Sequence, residues 1–216
     1  MRKKAFVSSC MLAVLALAMP ALAGPPFVCH SFEIESAESL PWGASNNFMA
    51  MRDDYDFHRV VLDTEKLLTP STPTLVRMET LRRASLYASR DRTVAEQLLA
   101  MLMGRVTAAE KAGHPDALAL FDAGYIVESL SELEQFGIHM KAFAGLERVL
   151  AGVTYPFESR PLLEKSAALR PGDASIEFAL ALLSPADRTS HLKNAQAGAK
   201  QDQLLASNLA RLQLLQ

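Results

Sequence analysis

From Asp53 onward one pattern recurs along the chain. Runs in which apolar residues return every three and four positions are cut short by proline or glycine. That spacing lines up only on one face of an α-helix, and the cuts predict many short helices rather than a few long ones. Phe57, Val60, Val61, Thr64, Leu67 and Leu68 make the first stripe, with Asp53, Asp54 and Asp56 placing negative charge at its start, near Asp53. Thr69-Pro70 and Thr72-Pro73 end it, because proline disfavours helix in the residue before it. A second helix is predicted from about Thr74 to Ser89. Asp91 and Thr93 are cap residues for a third, striped by Val94, Leu98, Met101, Leu102 and Val106.

The turn Gly113-His114-Pro115-Asp116 separates the third helix from a fourth, with Pro115 suited to its first turn and Gly137 to its C-cap. The fourth carries Leu120, Ala123, Gly124, Val127, Leu130 and Leu133. Phe143, Leu146, Val149 and Leu150 mark a fifth, stopped near Gly152. Tyr155-Pro156 to Pro161 reads as a break. Leu162 to Leu169 is a short helix ended by Pro171-Gly172. Asp173 caps the next, which carries Ile176, Leu180 and Leu183. Pro185 opens another, and Leu205, Leu209, Leu212 and Leu215 stripe the last. About nine helices joined by short turns fit the usual lengths. Half the residues are apolar but only 7% are aromatic, and the excess is Leu, Ala and Met, all strong helix formers. The fold class expected is all-α, built from antiparallel helix hairpins, with residues 53–216 as the helical domain.

The start of the chain has a different composition. Arg2, Lys3 and Lys4 precede an apolar run from Met11 to Met19, then Pro20 and Ala21-Leu22-Ala23. These are the three parts of a secretory signal peptide in order, so residues 1–23 are expected to be cleaved and the protein exported, to the periplasm or outside the cell. The run is shorter than the roughly 20 residues a membrane span needs, and no other stretch competes. Lipidation at Cys10 is disfavoured because the apolar core follows the cysteine instead of preceding it. Residues 24–52, with Pro25, Pro26, Pro41, Gly43 and Asn46-Asn47, read as an irregular N-terminal arm that Phe27, Val28, Phe32, Ile34, Leu40 and Trp42 can dock on the helical body.

Cleavage leaves 19 basic and 24 acidic residues, a net charge of −5. That balance gives no electrostatic basis for nucleic-acid binding. It also leaves Cys29 as the single cysteine, unable to form an internal disulfide.

Two segments sharpen the architecture. Ala168-Leu169-Arg170-Pro171-Gly172-Asp173 resembles the end of a tetratricopeptide repeat, and Leu180-Ala181 falls where that repeat sets a large residue beside a small one. Leu120-x-x-Ala123-Gly124-x-x-Val127 resembles its first-helix pattern. The resemblance covers about a third of the mature chain and implies an α-solenoid array whose grooves accept peptides or partner helices. The opening Gly24-Pro25-Pro26-x-x-Cys29-His30, with Ser39-Leu40-Pro41-Trp42 beyond it, is similar to a group of uncharacterised exported bacterial helical proteins. That likeness implies a shared architecture and no activity.

Chemistry is sparse. No P-loop, G-x-S-x-G elbow, H-E-x-x-H helix or G-x-G-x-x-G turn is present, and no cofactor is expected. Cys29 and His30 are both metal-ligand types, with His58 or the Asp53–Asp56 carboxylates as candidates to complete a site. As neighbours in an extended arm they point to opposite sides, which argues against a nucleophile pair. His114, His139 and His191 stand alone. Met49, Met51, Met78, Met101, Met103 and Met140 read as core filling. The expectation is a protein- or peptide-binding or scaffold module of the cell envelope, with an envelope protein or peptide as partner. The alternative is an exported enzyme or metal-binding protein using Cys29 and His30 with dispersed carboxylates.

Overall fold

The structure, a computed structural model, describes residues 27–44, 49–139, 141, 144–183 and 187–213. The signal segment 1–23 lies outside the described residues, as do Asn46-Asn47, Met140, Phe143, Pro185 and Leu215. Among the described residues every regular element is a helix. A 3-10 turn, Phe57–Arg59, leads into α1 (Val60–Leu67), followed by α2 (Thr74–Ala88), α3 (Arg92–Lys111), α4 (Ala117–His139) and α5 (Leu146–Leu150). The remainder is α6 (Ser159–Leu169), α7 (Ala174–Leu183), α8 (Arg188–Gly198) and α9 (Gln203–Gln213).

Local chemistry explains the boundaries. Asp91 accepts a hydrogen bond from Val94 N–H and starts α3. Asp173 accepts from the Ser175 and Ile176 N–H groups and starts α7. Both satisfy helix-start donors that would otherwise have no partner. Three expectations are corrected. The first helical turn begins at Phe57 rather than near Asp53, because Asp56 is the residue that caps it, accepting from His58 N–H. Asp116 caps α4 by accepting from Leu118 and Ala119 N–H, which leaves Pro115 before the cap instead of within the first turn. Gly137 does not end α4, which continues to His139. Its missing side chain makes room for Glu147, whose backbone nitrogen would lie 2.3 Å from a Cβ there.

The core is continuous and runs through α2 at its centre. Every residue of α2 except Arg83 is buried. This is not an apolar helix, since Arg77, Glu79 and Arg82 are all fully enclosed. Buried charges persist only when paired and hydrogen-bonded, and two networks provide this.

In the first network, Arg77 donates to Asp122 Oδ2 of α4 at 2.6 Å, to Thr72 C=O at 3.0 Å and to Thr69 C=O. Arg105 of α3 reaches the same Asp122 oxygen at 3.3 Å. In the second, Glu79 accepts two bonds from Arg82, one from Arg83 and one from the Phe32 N–H.

That second network fastens the N-terminal arm. Val28, Phe32, Ile34 and Leu40 are buried in the body, as expected, and Trp42 is half-buried with the guanidinium groups of Arg82 and Arg83 over its ring at 4.9 and 5.6 Å. The body also holds the arm by its main chain. Arg82 donates to Val28 C=O, Arg83 to Leu40 C=O and Tyr87 Oη to Pro41 C=O, while Glu132 accepts from Val28 N–H. On α9, Asn208 both accepts from Glu33 N–H and donates to Glu33 C=O. An irregular segment has no ladder to satisfy its backbone groups, so the body's polar side chains satisfy them.

Candidate functional site

The residues singled out for chemistry are not assembled. Cys29 lies in a 3-10 turn, Phe27–Cys29, close to Glu132 of α4 and Arg82 of α2. Burial, with a further push from Glu132, raises its thiol to about 11 against the pull of Arg82. A thiol so placed carries little thiolate at neutral pH and is a poor nucleophile or ligand. His30 is buried beside it, whereas His58 is exposed in the turn before α1 with its ring 4.1 Å from that of Phe57. Among the described residues no group of three or more His, Cys, Asp or Glu side chains is placed to hold a metal ion.

The remaining histidines stay apart. His114 is exposed in the turn before α4, and His191 pairs with Glu177 at 2.8 Å. His139 ends α4. Met78 and Met103 are buried, and Met49, Met51 and Met101 pack against the core.

The surface feature with the form of a site lies elsewhere, where residues 153–158 lead from α5 to α6. Gly152, with φ at +84°, turns the chain out of α5. Val153 is buried and anchors the segment, while Pro156 and Phe157 stand exposed. Two depressions flank it and share Pro156. One, of about 260 Å³, is floored by Leu99, Ala100 and Met103 of α3, with Glu96 and Thr154 on its walls. The other, of about 410 Å³, is bounded by Val127, Glu128 and Ser131 of α4 and by Tyr155, Phe157 and Glu158. They lie one against α3 and the other against α4, with Pro156 between them, and are treated as the two lobes of one cleft. The smaller lobe is mainly apolar and the larger one mixed, and concavities of this size that combine apolar walls with a few polar groups are the usual form of binding sites.

Two contacts set the shape of the cleft. Ser159 Oγ donates to Glu128 Oε2, tying the start of α6 to α4. Gly124 lets α6 approach closely, since a Cβ there would lie 2.8 Å from Leu163 Cγ and 2.9 Å from Ser159 C=O. Phe157 is 55% exposed, a large aromatic held at the rim without a covering partner among the described residues. Burial and the neighbouring Glu134 carboxylate raise the Tyr155 phenol well above its ordinary value, so it stays neutral.

Neither Cys29, His30 nor His58 lines either lobe. In the sequence Tyr155 to Pro161 reads only as a break, and the cleft depends on which helices become its neighbours. The usable signal was an aromatic-proline-aromatic triplet, Tyr155-Pro156-Phe157, in a segment too short to form a core of its own. Among the described residues no helix is long and apolar enough to cross a membrane. Comparison with protein families, with curated proteins and with solved structures returns no match to this chain.

Proposed function

We propose that the protein is an exported binding or scaffold module of the cell envelope, acting in the periplasm or outside the cell, and that it captures a protein or peptide partner in the cleft over α3 and α4. The observation that carries this reading is the exposed Phe157 standing in a depression of mixed lining beside the apolar one over α3. Exposed aromatics beside apolar pockets are the usual anchors of protein interfaces. Export rests on the basic, apolar and small-residue order of residues 1–23.

A tetratricopeptide-like, solenoid arrangement belongs to the same proposal. Its support is local. Gly124 admits α6 against α4, and Asp173 opens α7 directly after the Arg170-Pro171-Gly172 turn.

The test places a photo-crosslinking residue at Phe157, at Met103 and, as a control on α8, at Lys193 in cells making the full precursor. Adducts of one defined mass at 157 and 103, absent at 193, are expected. No adduct, or the same adducts at all three positions, refutes the cleft as the binding surface. N-terminal sequencing of the protein from those cells is expected to begin at Gly24.

A further inference from the structure

The charges around the cleft are of one sign. Every ionisable side chain with an ordinary acidic or basic group on its walls is a carboxylate: Glu96 in one lobe, Glu128 and Glu158 in the other, with Glu134 behind Tyr155. Some surface carboxylates elsewhere do have cations of their own. Glu164 and Asp187 share Arg160 at 2.6 Å each, and Glu110 meets Lys165 at 2.7 Å.

Two cations next to the cleft residues in sequence or structure are committed to other partners. Arg92 donates to the Val149 and Ala151 carbonyls, and Arg160 to Glu164 and Asp187. Among the described residues, Glu96 and Glu158 make no ion pair, and Glu128 is engaged only by the Ser159 hydroxyl.

We infer that the cleft takes an extended segment in which cationic side chains alternate with apolar ones. This rests on the cleft being the binding surface. In an extended chain successive side chains point to opposite sides, so alternate residues address the floor while those between them face the rim. Two apolar side chains seat on either side of Pro156, one over Leu99 and Met103 and the other against Phe157. Lysines or arginines between them meet Glu96, Glu128 and Glu158. The apolar contacts supply the hold, and the carboxylates select the sign of charge and speed encounter, because exposed ion pairs add little affinity one at a time.

The probe is a fluorescein-labelled ten-residue peptide alternating lysine and leucine, with serine-leucine and glutamate-leucine versions beside it. Fluorescence anisotropy is read on the mature full-length protein at low and high salt. The lysine peptide is expected to bind tightest, and its affinity to fall as salt screens the rim. Glu96→Gln combined with Glu158→Gln is expected to weaken it about fivefold and flatten the salt response. Both residues are exposed, and the Glu158 side chain makes no cap hydrogen bond to α6, so the variant is expected to fold, which thermal unfolding of the same preparation checks. Phe157→Ala is expected to weaken the lysine and serine peptides alike. If the serine peptide binds as well as the lysine one and the glutamine variant changes nothing, the charge inference fails while the cleft reading stands. If the lysine peptide binds but ignores both variants, its site lies elsewhere and the inference fails. If no peptide binds, the inference fails, and crosslinking at position 157 still judges the cleft on its own.

Discussion

Asp122 shows how a single carboxylate is set between opposing effects. It has no exposure to solvent, and one of its oxygens, Oδ1, makes no hydrogen bond. Burial pushes its pKa up to about 6, against the pull of Arg77 and Arg105. The native state therefore takes up a proton near pH 6 that the unfolded chain accepts only near its ordinary 3.8. This group's contribution to stability is complete below the lower value and lost as pH rises through the upper one. The urea midpoint of the wild type relative to that of Asp122→Asn, followed from pH 7 to 4.5, is expected to rise as pH falls, since only the wild type takes up this proton. The gain belongs to the wild type alone.

Glu79 has the opposite sign. Burial alone would raise it, but its bonds from Arg82 and the charges of Arg82 and Arg83 hold it below the ordinary value. Its contribution is lost only in stronger acid and is common to both proteins.

Cys29 gives a second residue-level outcome. With its thiol near 11, iodoacetamide should label the native protein far more slowly than the unfolded chain at pH 7.5, with the rate still climbing above pH 9. None of these settings was legible in the sequence. Charged residues scattered round a helix ordinarily mark a solvated face. Beside their neighbours in sequence, Arg77, Glu79 and Arg82 have partners 45 or more residues away, on α4 and the arm, which periodicity does not register.

Individual helices were much more legible. The limits of α2 and α3, and the capping by Asp91 and Asp173, follow from short-range rules that need only the neighbouring residues. The failures fall where a distant segment decides. Gly137 carries the composition of a stop, yet it lies inside α4 because Glu147 folds back over it.

The glycines make this testable, since one residue type has opposite consequences in different helices. At Gly124 an added Cβ meets Leu163 and Ser159 below 3.0 Å. Gly124→Ala must then push α6 from α4, at about 1–3 kcal/mol. At Gly104, on the exposed side of α3, nothing lies within 4 Å of such a Cβ. Gly104→Ala is expected to stabilise by about 0.5–1 kcal/mol through lower backbone entropy in the unfolded chain. Thermal unfolding of the two variants checks the signs.

For the molecule as a whole, composition and periodicity lead directly to an all-α protein with an arm, and the arm's apolar anchors are evident as Val28, Phe32, Ile34 and Leu40. Its polar fastening was not evident, nor was the cleft, because both depend on which helices become neighbours. Asn208 is the clearest case. A lone asparagine in α9 has no sequence mark of importance, yet it grips both backbone groups of Glu33, 175 positions away. Asn208→Ala is expected to leave the helical content unchanged while amide exchange at Phe32 and Glu33 quickens by at least tenfold. Unchanged exchange there would show that the Glu79 and Arg82 contacts hold the arm without help from α9.

The grip of Asn208 on Glu33 also brings the earliest described segment of the chain onto the latest helix. Covalent order and spatial order then form a ring that is merely cut between α9 and the arm. A circular permutant that joins the two by a flexible linker and opens instead at the exposed Gly113-His114 turn should reach the same structure. In the natural order the arm meets its α2 and α4 partners early, and its contact with α9 closes only after 175 further positions. In the permutant the two meet as sequence neighbours, the loop to be closed is short, and the arm should dock early.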